Sequence, residues 1–142
     1  MLLGQHEHLL DDKNRLTLPV RLREQLGERV VVTAGLDGCL NAWSEAEWER
    51  QVGRIRELDQ LSRESRMMQR YFFTSAVTSE LDKQGRILLP PSLLGLAGID
   101  REVTVTGVYD HLEIWDRARW REHQSELEGS AEHVAERIAN RD

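Results

Sequence analysis

The sequence predicts an α+β protein, mainly β, built from two tandem copies of one small β-module, and three observations predict it. The 142 residues are 39% hydrophobic and 31% charged, a balance typical of folded globular chains rather than disordered ones. The chain repeats itself, and each copy shows the same succession of strand and helix signals. The predicted partition is a first module over 1–50, a connecting helix over 51–73, a second module over 74–121 and a C-terminal helical tail over 122–142.

The repeat appears when LDDKNRLTLPVRL, from Leu10, is set against LDKQGRILLPPSL, from Leu81. At an offset of 71, Leu10/Leu81, Asp11/Asp82, Arg15/Arg86, Leu18/Leu89, Pro19/Pro90, Leu22/Leu93 and Gly27/Gly98 coincide. After one inserted residue the match resumes at an offset of 72, with Val31/Val103, Gly35/Gly107, Leu40/Leu112, Trp43/Trp115 and Trp48/Trp120. Coincidences in this order with a single gap identify a tandem duplication. A unit of roughly fifty residues buries too little surface to be stable alone, so the copies are expected to fold against one another.

Within each copy a strand runs to Leu10 or Leu81 and meets a polar tetrapeptide, DDKN or DKQG. Asn14 and Gly85 fill the same slot, and both residue types tolerate positive φ, which predicts a left-handed turn position. The short apolar strand RLTL or RILL follows. Pro19 and Pro90 then open a short helix, which Gly27 and Gly98 close. Two strands rich in β-branched and aromatic residues come next, RVVVTA and CLNAW in the first copy, EVTVTGV and HLEIW in the second. Ser44 and Glu47 have the spacing of a helix capping box, and Asp116 is the matching N-cap in the second copy. The first of these helices is expected to continue, with a break near Leu61, through SRESRMMQRYFF, where Met67, Met68, Tyr71 and Phe72 recur at helical spacing. The last helix, rich in Glu and Arg, is expected to fray toward its end.

Asp-x-x-x-Arg is the constellation that recurs: Asp11 with Arg15, and Asp82 with Arg86. On a turn, this spacing lets the carboxylate cap amides or steer the guanidinium, whose planar fork suits phosphate and the edge of guanine. Lys13 and Lys83 lie in the same loops and would add phosphate contacts. On spacing alone, ion pairs that merely brace two turns rank slightly ahead of a binding role. The two Trp-x-x-x-x-Trp pairs read as anchors of helix on sheet.

Other residues carry less. His6 and His8 alternate on a strand, but no third metal ligand accompanies them, and His111, His123 and His133 carry no signal. Cys39 reads as a small buried residue; a single cysteine permits no internal disulfide and fits a reducing compartment. Arg54, Arg56, Arg63, Arg66 and Arg70 alternate with Glu49, Glu57 and Glu64, which reads first as a solvated helix laced with ion pairs, then as a subunit interface, and only third as a DNA contact. No nucleophile–base pair, phosphate loop or cysteine cluster is present. No enzyme activity, cofactor or small-molecule substrate is therefore expected. No apolar run approaches the ~20 residues that span a bilayer, and MLLGQHEHLL lacks the marks of a secretory signal. The expected location is the cytoplasm.

Taken together, two Asp-x-x-x-Arg turns, each followed by an apolar strand and Leu-Pro, with Trp-ended strand pairs and a linking helix, resemble the MraZ family. The resemblance runs from Leu3 to about Trp120. It implies a tandem version of the AbrB/SpoVT swapped-hairpin fold, with a double-ψ-like barrel core and flanking helices. It also implies a nucleoid-associated transcriptional regulator that forms ring-like homo-oligomers and binds direct repeats upstream of the division and cell-wall gene cluster. By the resemblance, Arg15 and Arg86 contact DNA, and Asp11 and Asp82 support them. The second turn, DKQGR, fits the family pattern closely; the first departs from it at Asn14 and carries an extra acid at Asp12.

Charge argues the other way, since a net charge of −6 and a pI near 5.4 are not those of a generic nucleic-acid binder. Binding would then rest on locally concentrated Arg and Lys, repeated over many subunits. A rival reading is an antitoxin-like protein-binding module that uses its Glu-rich tail, from Glu122, to hold a toxin.

Overall fold

A computed structural model describes residues 1–141 of the chain; the last residue of the predicted tail lies outside them. The described residues form eight strands and five helices. The first copy contributes β1 (Gln5–Leu9), β2 (Arg15–Thr17), α1 (Val20–Leu26), β3 (Arg29–Ala34) and β4 (Leu40–Ser44). Two helices, α2 (Glu45–Arg56) and α3 (Arg63–Ser75), join it to the second copy. That copy repeats the order as β5 (Val77–Glu80), β6 (Arg86–Leu88), α4 (Pro91–Ala97), β7 (Glu102–Gly107) and β8 (Leu112–Asp116), and α5 (Arg117–Ala139) follows.

Local chemistry sets these boundaries. Pro19 and Pro90 stand at the N-caps of α1 and α4, where a missing N–H costs nothing. At α2 the Ser44 hydroxyl accepts from the Glu47 amide at 3.2 Å, and at α5 the Asp116 carboxylate accepts from the Arg119 amide at 3.1 Å. These caps satisfy amides that have no partner inside the helix. The connecting stretch breaks over 57–62, and Ser62 starts α3 afresh by accepting from the Ser65 amide at 3.3 Å.

The two copies are interleaved. The six-stranded antiparallel sheet runs β1-β7-β8-β4-β3-β5. The first strand of each copy therefore pairs with the other copy: His6 opposite Val105 and His8 opposite Val103 on one side, Arg29 opposite Glu80 and Val32 opposite Val77 on the other. The two central strands, β4 and β8, pair across the copies from Leu40↔Ile114 to Ala42↔Leu112. This sheet is not closed, because β1 and β5 stand at its two edges. The barrel core implied by the resemblance is thus corrected to an open sheet. The physical reason is that β2 and β6 spend their hydrogen bonds on each other, as a separate two-stranded ribbon.

One core fills the space between. Leu10, Leu16, Leu18, Leu40, Ile87, Leu89, Leu93, Leu112 and Ile114 are all essentially inaccessible to solvent. Both copies supply it, as expected of units too small to bury a core singly. Trp43 and Trp115 alternate with these core residues on β4 and β8 and so face the other side of the sheet. Buried Trp43 stacks on His111 at 4.4 Å, and Trp48 meets Phe73 edge-on at 6.1 Å. Buried Trp115 packs on Trp120 at 5.6 Å and on His123 at 4.6 Å.

Candidate nucleic-acid interface

The two Asp-x-x-x-Arg turns share one geometry. In the first, the Asp11 Oδ1 accepts from the backbone amides of Lys13 and Arg15, both at 2.9 Å, and Oδ2 holds the Arg15 Nε at 2.6 Å. In the second, the Asp82 Oδ1 accepts from the amides of Gln84 and Arg86 at 2.9 Å, and Oδ2 holds the Arg86 Nε at 2.7 Å. Each turn closes with paired backbone bonds, Asp11 N–H to Arg15 and Asn14 N–H to Asp11, and likewise Asp82 to Arg86 and Gly85 to Asp82. Asn14 and Gly85 sit at φ 59° and 74°, the left-handed conformation expected of that slot.

This arrangement explains why an acid stands four residues before each arginine. One carboxylate satisfies two turn amides and fixes the inner nitrogen of the guanidinium, which restricts the orientation of its outer, two-nitrogen end. The electrostatics agree. The Asp11 carboxyl is held at about 2, below its ordinary 3.8. The Arg15 amide is the largest cause, and the Arg15 guanidinium and Lys13 amide add to it against an opposing desolvation. Asp82 is lowered in the same way, first by the Arg86 amide.

Beyond each turn, β2 and β6 bring the two copies together. Their register sets Arg15 opposite Leu88, Leu16 opposite Ile87 and Thr17 opposite Arg86. Side chains alternate across a strand, so Leu16 and Ile87 enter the core while Arg15, Thr17, Arg86 and Leu88 share the outer face. The two arginines are diagonal neighbours on that face, a separation of roughly 7–8 Å. Arg86 Nη1 lies 3.8 Å from the Asp11 carboxylate, so that acid touches both guanidinium groups. The Leu18 amide donates to the Gly85 carbonyl and the Leu89 amide to the Asn14 carbonyl, each at 3.0 Å. The turns therefore lock each other reciprocally.

The residues singled out in the sequence thus fall into one surface: Arg15, Arg86, Asp11, Asp82, Asn14 and Gly85 meet at the ribbon, with Lys13 and Lys83 exposed on the turns beside it. The extra acid, Asp12, is 96% exposed, and its only ion pair among the described residues is with Arg101, at 3.8 Å. His6 and His8 stand on the edge strand instead, and no group of three or more potential ligands among the described residues could hold a metal ion.

Two features carried no usable signal. His111 sits between Asp110, 2.7 Å from Nδ1, and Glu113, 3.8 Å from Nε2, beside a cavity of about 360 Å³ walled by Trp43, Trp48 and Phe72. Burial opposes its charge, but hydrogen bonds to the Glu113 and Asp110 carboxylates, which accept, outweigh burial and raise its pKa above the ordinary 6.5. The second feature is Arg23 of α1, whose guanidinium lies against Gly85 of the other copy's turn. Only the interleaving of the copies brings it there, and the repeat alignment gives no hint of the contact.

Comparison with known proteins agrees with the duplicated architecture. The family model described as "MraZ protein, putative antitoxin-like" matches twice, over residues 1–71 and 72–142. Proteins called Transcriptional regulator MraZ from Moorella thermoacetica and Heliobacterium modesticaldum are 42% and 41% identical over 142 residues, covering all of this chain and 99% of each relative. One from Clostridium botulinum is 44% identical over 120 residues, 84% of either chain. A regulator's name, not an enzyme's, is common to all three. Two tandem copies of the family unit and full-length relatives at this identity lead to one conclusion: the chain belongs to the MraZ family.

Proposed function

We propose that this chain is a sequence-specific DNA-binding transcriptional regulator whose ribbon β2–β6 and its two turns form the contact surface. The observation that carries the reading is the pair of carboxylate-held, partly exposed arginines, Arg15 and Arg86, set diagonally on one face. A two-stranded ribbon fits the major groove of B-DNA, and a bidentate guanidinium suits a guanine edge or a phosphate. Lys13 and Lys83 supply phosphate contacts. Asp11, Asp82, Asn14 and Gly85 hold the turns in shape. The names of the relatives support a role in transcription.

The finer picture follows the same reading. The exchange of first strands between copies supports a swapped-hairpin fold, with modules over 1–50 and 74–121, a connector over 51–73 and a tail over 122–142. The protein acts as a ring-like homo-oligomer on direct repeats upstream of the division and cell-wall gene cluster, in the cytoplasm at the nucleoid. An acidic chain with two arginine turns neutralises few phosphates, so avidity across subunits supplies the affinity. Exposed apolar side chains such as Leu36 and Met67, both more than half exposed, fit contact with further subunits.

The test is titration of the purified protein against duplex DNA from upstream of its own gene, over a salt series, beside a scrambled duplex. Tight, sequence-preferring and salt-sensitive binding is expected, together with its loss in Arg15→Ala/Arg86→Ala while the oligomer persists. Equal weak binding to both duplexes would sink the reading, and loss of the oligomer in the double variant would make the arginines structural. A second reading, an antitoxin-like module, is favoured by the exposed apolar stripe Leu127, Val134 and Ile138 on α5. Deleting 127–142 should then abolish binding of a neighbouring toxin and leave DNA binding intact.

A further inference from the structure

We propose that Arg23 is a third DNA-contacting arginine, giving the second turn a phosphate contact that the first turn lacks; the proposal rests on the DNA-binding reading above. Gly85 is buried although it stands in the exposed turn 82–86, and the group that covers it is the Arg23 guanidinium. A Cβ on Gly85 would fall 2.5 Å from Arg23 Cζ and 2.7 Å from Cδ, so the side chain lies in the space that only glycine leaves open. Arg23 is half-buried, yet among the described residues its side chain has no ion pair and no hydrogen-bond acceptor, whereas Arg15 and Arg86 each hold a carboxylate. A partly desolvated guanidinium without an anion is an electrostatic deficit that a phosphate oxygen would relieve. The residue before Arg86 is the one it covers, so a backbone engaged by Arg86 and Lys83 passes within its reach.

The first turn has no counterpart. The position equivalent to Arg23 in the second copy is Leu94, which is buried. The position equivalent to Gly85 is Asn14, which carries a side chain at φ 59°, where the other turn has a bare glycine and room for the guanidinium. Asp12 also stands where the second turn has Lys83. The cationic surface is thus concentrated at the second turn.

The test compares full-length wild type with Arg23→Gln, Arg23→Lys, Gly85→Asn and Arg137→Gln on the upstream and scrambled duplexes across salt. Arg23→Gln should flatten the dependence of log K on log salt by about 0.9 per bound subunit. It should also weaken both duplexes in proportion, as loss of a phosphate contact does. Gly85→Asn should reproduce that loss, since Asn14 shows that asparagine holds this turn but leaves no room for the guanidinium. Arg137→Gln removes the same charge from the exposed end of α5 and should leave the slope unchanged. Thermal melting separates folding from contact, and Arg23→Lys, which keeps the charge without the planar fork, should retain most of the slope. A wild-type slope in both Arg23→Gln and Gly85→Asn would overturn the assignment while leaving the DNA reading intact. So would a loss in Arg23→Lys equal to that in Arg23→Gln and matched by a lower melting temperature. Absence of wild-type binding to either duplex would instead remove the DNA reading, and this assignment with it.

Discussion

Leu16→Ala tests whether the two copies share one cooperative core. Leu16 is fully buried, and its strand partner, Ile87, comes from the other copy. Truncation to alanine removes three carbons, at about 0.8 kcal/mol each, and leaves a cavity in the buried core that Leu16 shares with Leu18 and Leu89, for a total of roughly 3–4 kcal/mol. At about 2.1 cal/mol/K per residue the unfolding entropy of this chain is near 0.3 kcal/mol/K, so the midpoint should fall by about 10 °C. Ile87→Val removes one carbon and should cost about 1 kcal/mol. The assay is thermal melting followed by circular dichroism and tryptophan emission at one protein concentration, with native-state hydrogen exchange as the spatial readout. A single transition that moves as a unit is expected, with amides of β3–β4 and β7–β8 losing protection equally. If Leu16→Ala exposes β3–β4 while β7–β8 keep their protection, the copies are independent domains and the shared-core reasoning is refuted.

Three further outcomes follow from the electrostatics. Asp11 titrates at about 2 in the folded chain, below its ordinary 3.8, so its contribution is present above pH 3.8 and lost as pH falls through about 2. Asp11→Asn should therefore flatten the acid limb of the stability curve, measured by urea midpoints from pH 2 to 6. His111 is raised above 6.5, so the stability it adds is full below that pH and lost as pH rises through its folded value. His111→Gln should thus lower the melting temperature more at pH 6 than at pH 8.5. Burial pushes the Cys39 thiol up to about 12, with Glu113 adding to the shift, so a thiol-specific reagent at pH 8 should react only at the rate of unfolding.

Much of the local structure was legible in the sequence because it is decided locally. The positive φ at Asn14 and Gly85, the caps at Ser44 and Asp116, and the helix starts after Pro19 and Pro90 each depend on a few neighbouring residues. The break near Leu61 was readable for the same reason. Which strands pair was not readable, because RLTL and RILL are equally good partners for many apolar strands. That β2 seeks β6, and that β1 and β5 change places, is settled by how both copies bury Leu16 and Ile87 together. The site was legible as residues but not as a surface: spacing linked Asp11 to Arg15, while the contacts of Asp11 with Arg86 and of Arg23 with Gly85 exist only through that exchange. The role of His111 was hidden likewise, since Trp43, its stacking partner, lies in the other copy.

The exchange of first strands also sets an order of events during synthesis. β1 cannot be paired until β7, about a hundred residues later, has left the ribosome, which at 5–20 residues per second is a wait of roughly 5–20 s. A long-waiting strand is a hazard when it is apolar, because its open edge templates association with other nascent chains. Here the waiting segment is QHEHL, with a single aliphatic residue at its end. The apolar strands RVVVTA and LNAWS, by contrast, are adjacent in the chain and pair with each other as soon as both emerge. The polarity of β1 thus suits the part of the fold that must remain single longest.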